Sequence, residues 1–188
     1  MIVHDWIADT TAADVMYSEV ISVWPHHTLA QAASVLLREQ ISGVPVVDSS
    51  GVCIGVFSVS DVLRAEKKVA DERDKAALSD FFRSDLALPV SVYTEKLAEI
   101  RDKTTPAAEQ PVERFMTTDL VSVAEDTPLV DIVRSMVDAH LHRVLVLDTD
   151  QRLRGIVATI DVLAALLRAS QDMGESGEAR HLREQQHL

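Results

Sequence analysis

Two short stretches hold the residues best placed for chemistry. Residues 55–63 read GVFSVSDVL, and residues 155–163 read GIVATIDVL a hundred positions later. Each sets an Asp, Asp61 or Asp161, in the first turn of a segment that reads as a helix. A carboxylate there has two uses, and both stay open at this point. It can complement the positive end of the helix, or it can accept two hydrogen bonds from the diol of a ligand. A helix N-terminus also suits a phosphate, but the Asp charge repels one, so other donors must be near. Ser58, three residues before Asp61, offers a hydroxyl, whereas the matching residue of the second stretch is Ala158. An Arg or a His beside the turn would offset a phosphate's charge more strongly.

The elements that must carry these residues repeat in the same way. A shift of 100 residues sets Met16 on Met116, Leu29 on Leu129, Val44, Val46 and Asp48 on Val144, Val146 and Asp148, and Gly55 on Gly155. In each copy a lead-in strand (EVISVWP, DLVSVAE) precedes an amphipathic helix. The first helix lies in TLAQAASVLLREQ, with Leu29, Ala32, Ala33, Leu36 and Leu37 on one stripe. The second lies in TPLVDIVRSMVDAH, with Thr127 expected as N-cap and Pro128 at the first helical position. GVPVVD and RVLVLD then run into Asp-led turns, CIGVFS and LRGIVA complete hairpins, and SDVLRAEKK and IDVLAALLRAS open a last helix. The unit is β-α-β-β-α, about 55 residues, too small to bury enough area alone, so the two copies are expected to pack together.

Bulk composition excludes several classes. The net charge is −12. Residues 10–63 hold five acids against one Arg, and residues 112–165 hold nine acids against five Arg, so each copy carries −4. Neither has the basic footprint of a nucleic-acid binder. With 47% hydrophobic and 4% aromatic residues the core must be aliphatic. The one cysteine, Cys53, sits in an apolar run and reads as a buried strand residue in a reducing compartment. MIVHDWIADTT lacks the pattern of a signal peptide, and no apolar run reaches the roughly 18 residues of a membrane span. A cytoplasmic location is the expectation.

The paired patterns ISGVPVVD…GVFSVSDVL and LHRVLVLD…GIVATIDVL resemble a tandem pair of cystathionine β-synthase (CBS) domains, a Bateman module. The expected layout is a first CBS domain over residues 10–65, a helical extension and linker over 66–110, a second CBS domain over 111–167, and a polar tail over 168–188. The resemblance implies an α+β fold of two β-α-β-β-α units, packed by their sheets about a pseudo-twofold axis. It also implies clefts for adenine nucleotides or adenosyl compounds, among them AMP, ADP, ATP and S-adenosylmethionine, and assembly into a homodimer that acts on an unknown protein effector.

In such pairs the Ser/Thr…Asp turn of one repeat faces the first two strands of the other. The main cleft implied for this chain therefore joins Ser58 and Asp61 to Leu120, Val121, His142, Arg143 and Val144. Val121 and Val144 would wall the adenine, Asp61 take the ribose and Ser58 a phosphate, with His142 and Arg143 countering its charge. The second cleft joins Ala158 and Asp161 to Ile21, Ser42, Gly43, Val44 and Pro45. It keeps the carboxylate but lacks the hydroxyl at position 158 and any cation at 42–43, so it is expected to stand empty or to hold a ligand of little charge. Position 145 departs from the pattern, with Leu145 where the first repeat has Pro45.

Other features point to no chemistry. His140 and His142 bracket Leu141 without a ligand set beside them, so no metal is assigned. His26 and His27 are expected to begin a helix. No glycine-rich phosphate loop, H-E-x-x-H or G-x-S-x-G occurs, and no enzyme activity is expected. The alternative to ligand sensing is a ligand-independent dimerisation module whose turn Asp residues only stabilise helix ends.

Overall fold

The structure, a computed structural model, describes residues 6–7, 9–66, 90–102 and 107–171. Its elements follow local chemistry closely. After a short helix α1 (Ala12–Val15), helix α2 (Leu29–Glu39) begins at a reciprocal cap. The Thr28 hydroxyl accepts the Gln31 N–H at 3.2 Å, and the Gln31 side chain accepts the Thr28 N–H at 2.8 Å. Leu29, Ala32, Ala33 and Leu36 are buried as the stripe predicts, and Leu37 is half-buried. Gln40, at φ 55°, stops the helix in the left-handed region.

Strands β1 (Gly43–Val47) and β2 (Cys53–Ser58) form an antiparallel hairpin, and helix α3 (Val59–Glu66) follows. The second copy repeats this with β3 (Ser122–Val123), α5 (Leu129–Asp138), β4 (Arg143–Leu147), β5 (Leu153–Ala158) and the helical residues 159–171, here α6. Both hairpin turns close on an Asp. Asp48 Oδ1 accepts the N–H groups of Ser50 and Val52, and Asp148 Oδ1 those of Asp150 and Arg152. Those bonds hold both carboxyls below the usual carboxylate range.

Four expectations need correction or fall elsewhere. The first lead-in strand shrinks to a single parallel bridge, Val23 to Val46, whereas β3 pairs with β4 over two residues. The cause is Pro45. In the second repeat the Leu145 N–H donates to the Val121 carbonyl at 3.1 Å, and proline has no N–H to make the matching bond. Pro128, expected inside the second helix, is its N-cap instead, and the Thr127 hydroxyl accepts the Ala124 N–H rather than capping. His26 and His27 lie in the turn before Thr28, where His27 stacks on Trp24. Of the charged extension after Asp61, the part from 67 to 89 lies outside the described residues, as does the tail from 172.

A helix that the sequence reading missed, α4 (Val90–Arg101), packs on α2 and α3 and buries Leu97 and Ile100 in the first repeat's core.

The repeats are joined by exchanged lead-in segments. The stretch before the first repeat docks on the second, and the stretch before the second docks on the first. Thr10 and Gln110 carbonyls accept the first N–H groups of the opposite helices, from Leu129 at 2.8 Å and from Leu29 at 2.9 Å. This explains why Pro128 can serve as a cap without a side-chain acceptor, since the orphan donor is already satisfied. Tyr17 exchanges both backbone bonds with Ile156, and Thr117 does so with Val56. Ala12 and Val15 lie in the core of the second repeat, and Val112 in that of the first.

At the centre Val52 bridges Arg152, two positions a hundred residues apart, so the pseudo-twofold axis passes through this contact. The same symmetry fixes two glycines. A Cβ on Gly155 would lie 2.5 Å from the Met16 sulfur, and one on Gly55 would lie 2.6 Å from that of Met116.

Candidate functional site

Each strand-to-helix turn is built by the last residue of a hairpin and the third residue of the helix after it. In the first repeat the Ser58 N–H and Oγ–H both donate to Asp61 Oδ2, at 2.7 and 2.8 Å. Arg64 Nη2 donates to the other oxygen, Oδ1. Asp61 is 0% exposed, while the Arg64 side chain, at 32%, reaches the rim. Burial pushes the Asp61 carboxyl up from 3.8 to about 6, against the opposing pull of the Arg64 charge and the Ser58 bonds.

The same serine- or threonine-to-Asp bonding occurs at Thr11 and Asp14, on an exposed helix start. There the bonds from Thr11 lower the Asp14 carboxyl, because no comparable burial opposes them. What sets Asp61 apart is its removal from water together with a cation, not the bonding pattern.

The second turn is looser. The Ala158 N–H donates to Asp161 Oδ2 at 2.8 Å, and Asp161 makes no other hydrogen bond among the described residues. Asp161 is half-buried, and Ala164 stands where the first repeat has Arg64. The Thr159 N–H and hydroxyl both donate to the His142 carbonyl, at 2.9 and 3.2 Å. The Val59 N–H does the same for the Ser42 carbonyl at 3.0 Å.

The remaining candidates fall into three groups. Val44 and Val144 have no exposed surface, and each belongs to its own repeat's core. Leu120 and Val121 are half-buried against the second core, beside β4, whereas Ile21 is exposed. Pro45 and Gly43 are buried within β1, and Ser42 is half-buried ahead of it. His142 and Arg143 are half-buried at the start of β4, and burial of the guanidinium lowers the Arg143 pKa.

The hairpin register sets Gly43 across from Ser58, and Arg143 across from Ala158. Each strand start therefore lies beside the turn of its own repeat. The side-chain bonds of Ser58 and Asp61 likewise stay within the first repeat. Arg64 was not among the residues read from the sequence as candidates. Its signal was present there, an Arg three positions after an Asp on one helix, which places both on the same face.

A groove of about 760 Å³ opens on the second repeat, between α5 and α6, and shares His142 with the candidate residues. Val133, Val137, Leu163 and Leu166 line it, and His142 and Thr159 stand at one end. No helix among the described residues is long and apolar enough to cross a membrane.

Two β-α-β-β-α units with exchanged lead-ins, each turning from strand to helix through a capped Asp, define a tandem CBS pair. The sequence matches the CBS domain family over residues 12–68 and again over 112–168, and the chain belongs to that family. Solved structures share the fold. CBSX2 of Arabidopsis thaliana, in complex with AMP, is 23% identical, with 85% of this chain and 98% of that one covered and a TM-score of 0.59. The CBS domain of a CBS domain-containing membrane protein from Sphaerobacter thermophilus is 24% identical, with 86% and 91% covered and a TM-score of 0.59. The CBS pair of protein MJ0100, in complex with 5′-methylthioadenosine and S-adenosyl-L-methionine, is 19% identical, with 86% and 98% covered and a TM-score of 0.53.

Proposed function

We propose that this chain is a non-catalytic regulatory module that binds an adenine nucleotide or adenosyl compound between its two CBS repeats and passes the signal to a protein partner. One observation carries this reading: a buried carboxylate, Asp61, with a hydroxyl and a cation gathered on it at a strand-to-helix turn. CBS pairs of the same fold in complex with AMP, or with 5′-methylthioadenosine and S-adenosyl-L-methionine, support the ligand class.

The proposed main site combines Ser58 and Asp61 with Leu120, Val121, His142, Arg143 and Val144. The second site combines Asp161 with Ile21, Ser42, Gly43, Val44 and Pro45. The apolar side chains exposed on α5 and α6, Val137, Leu163 and Leu167, support a homodimer formed through this outer face.

Thermal shift against AMP, ADP, ATP, S-adenosylmethionine and cyclic di-AMP tests the proposal. A ligand present at a hundredfold excess over its dissociation constant stabilises the fold by about 2.7 kcal/mol. Asp61→Asn and Arg143→Ala are expected to weaken binding strongly, and Asp161→Asn only slightly. Because Arg143 also lies across the ladder from Ala158, a loss at Asp161→Asn as large as that at Asp61→Asn would overturn the single main site.

The second reading is a ligand-independent interaction module. It has a specific observation in its favour: both Asp carboxylates already accept the N–H three residues before them, the work of a helix cap. No shift with any of the five ligands would decide for it.

A further inference from the structure

The geometry points to Arg64 as a displaceable cover on the Asp61 carboxylate, one that makes the first turn select phosphorylated over unphosphorylated adenosyl ligands. This rests on the adenosyl-binding reading above and goes a step past it, to the selectivity of that site.

The carboxylate is fully subscribed on one side. Asp61 Oδ2 holds two donors, the Ser58 N–H and hydroxyl, which is what one carboxylate oxygen accepts. The Ser58 hydroxyl proton is thus committed to Asp61, and Ser58 is itself buried. Oδ1 is taken by Arg64, and no surface of Asp61 reaches solvent. A ribose diol brings two more donors. It can reach Oδ1 only if a present partner leaves.

The partners differ in their freedom to do so. Ser58 is the last residue of β2, paired with Gly43 across the hairpin, so its N–H is fixed by the sheet. Arg64 hangs on a long side chain near the end of the described part of α3, one third exposed, and can swing outward by rotation about its own bonds.

Displacement leaves a guanidinium in need of an anion. A nucleotide supplies one in its phosphate, which a guanidinium can grip with two parallel hydrogen bonds. A nucleoside supplies none. For adenosine the exchange costs an ion pair without return, whereas for AMP one ion pair replaces another. The second turn shows the contrast within the same chain. Among the described residues Asp161 has one oxygen that takes no donor, and Ala164 stands in place of the arginine, so the counterpart of the Arg64 cover is missing at that turn.

Isothermal titration of AMP and of adenosine into the full chain tests the idea, with Arg64→Gln, Arg64→Lys and Asp61→Asn beside the parent. The parent is expected to prefer AMP by about tenfold or more, the size of one charge-assisted hydrogen bond. Arg64→Gln should shrink that preference severalfold, leaving only the part that His142 and Arg143 supply, by weakening AMP and strengthening adenosine together, while Arg64→Lys should restore much of it. Improved adenosine binding cannot come from a damaged fold, so this arm separates the cover from mere destabilisation. Arg134→Gln, which removes an exposed cation elsewhere, should leave the ratio alone.

An unchanged ratio in Arg64→Gln overturns the cover while leaving the nucleotide reading intact. Binding of both ligands that ignores Asp61→Asn also overturns it, by placing the ligand at another turn. A parent that binds neither compound overturns the nucleotide reading and the cover with it.

Discussion

Asp61 shows what a buried carboxyl does to stability as pH changes. In the unfolded chain it titrates near 3.8, and in the fold near 6, because burial disfavours the charge more than Arg64 and Ser58 favour it. Between those values the folded chain holds a proton that the unfolded chain has released. The group's stabilising contribution is therefore complete below about pH 4 and is lost as pH rises through 6. Urea denaturation of the parent and of Asp61→Asn from pH 4 to 8 measures it. The parent is expected to lose about 2–3 kcal/mol relative to the Asn variant over that range. A difference that stays flat would mean that the carboxyl ionises in the fold as it does in water. The half-buried Asp48 and Asp148 have the opposite shift, and their contribution fades as pH falls below 3.8, but it is common to both proteins and cancels.

At the scale of elements, α4 breaks the symmetry that the rest of the chain obeys. It lies on α2 and α3 of the first repeat and closes that core with Leu97 and Ile100. The corresponding outer face of the second repeat has no such helix among the described residues, and Val137, Ile160, Leu163 and Leu167 remain exposed there. Ile100 is fully buried, so Ile100→Ala removes packed methylene and methyl groups and leaves a cavity. The expected loss is about 2–4 kcal/mol in chemical denaturation. A change below about 0.5 kcal/mol would show that α4 is a dispensable appendage. The helix was hard to see in the sequence because its apolar residues do not form a clean stripe. Its place is set by the groove it fills rather than by its own pattern. The lead-in strands carry the complementary lesson. Their sequences look alike, yet Pro45 removes one N–H and with it the ladder that Leu145 allows in the second copy.

On the scale of the whole molecule, the repeats hold each other through contacts that swap under the pseudo-twofold axis. Met16 reaches over Gly155, and Met116 over Gly55, each from the opposite end of the chain's numbering. Gly155→Ala would put a methyl 2.5 Å from the Met16 sulfur and 3.1 Å from its Cβ. The methionine must then move, at an expected cost of about 1–3 kcal/mol. Adding Met16→Ala should make the pair of changes less harmful than the sum of the two alone, and strict additivity would show that the contact does not join the repeats.

Whatever neighbours in sequence can settle was legible without a structure. The hairpins, the Asp48 and Asp148 turns, the α2 stripe and the helix-start position of Asp61 and Asp161 all rest on interactions within a few residues. A period of two or of 3.6, or an Asp beside a turn, reports such interactions directly. The repeat itself was legible for the same reason, since both copies write the same local rules.

The tertiary structure alone decided the rest. It exchanged the lead-in segments, set methionine sulfurs against glycines of the opposite repeat, laid α4 on one repeat and not the other, and removed Asp61 from water. Each of these depends on which surfaces meet. Close packing and desolvation are properties of the assembled neighbourhood, and a residue's own stretch of chain does not encode them.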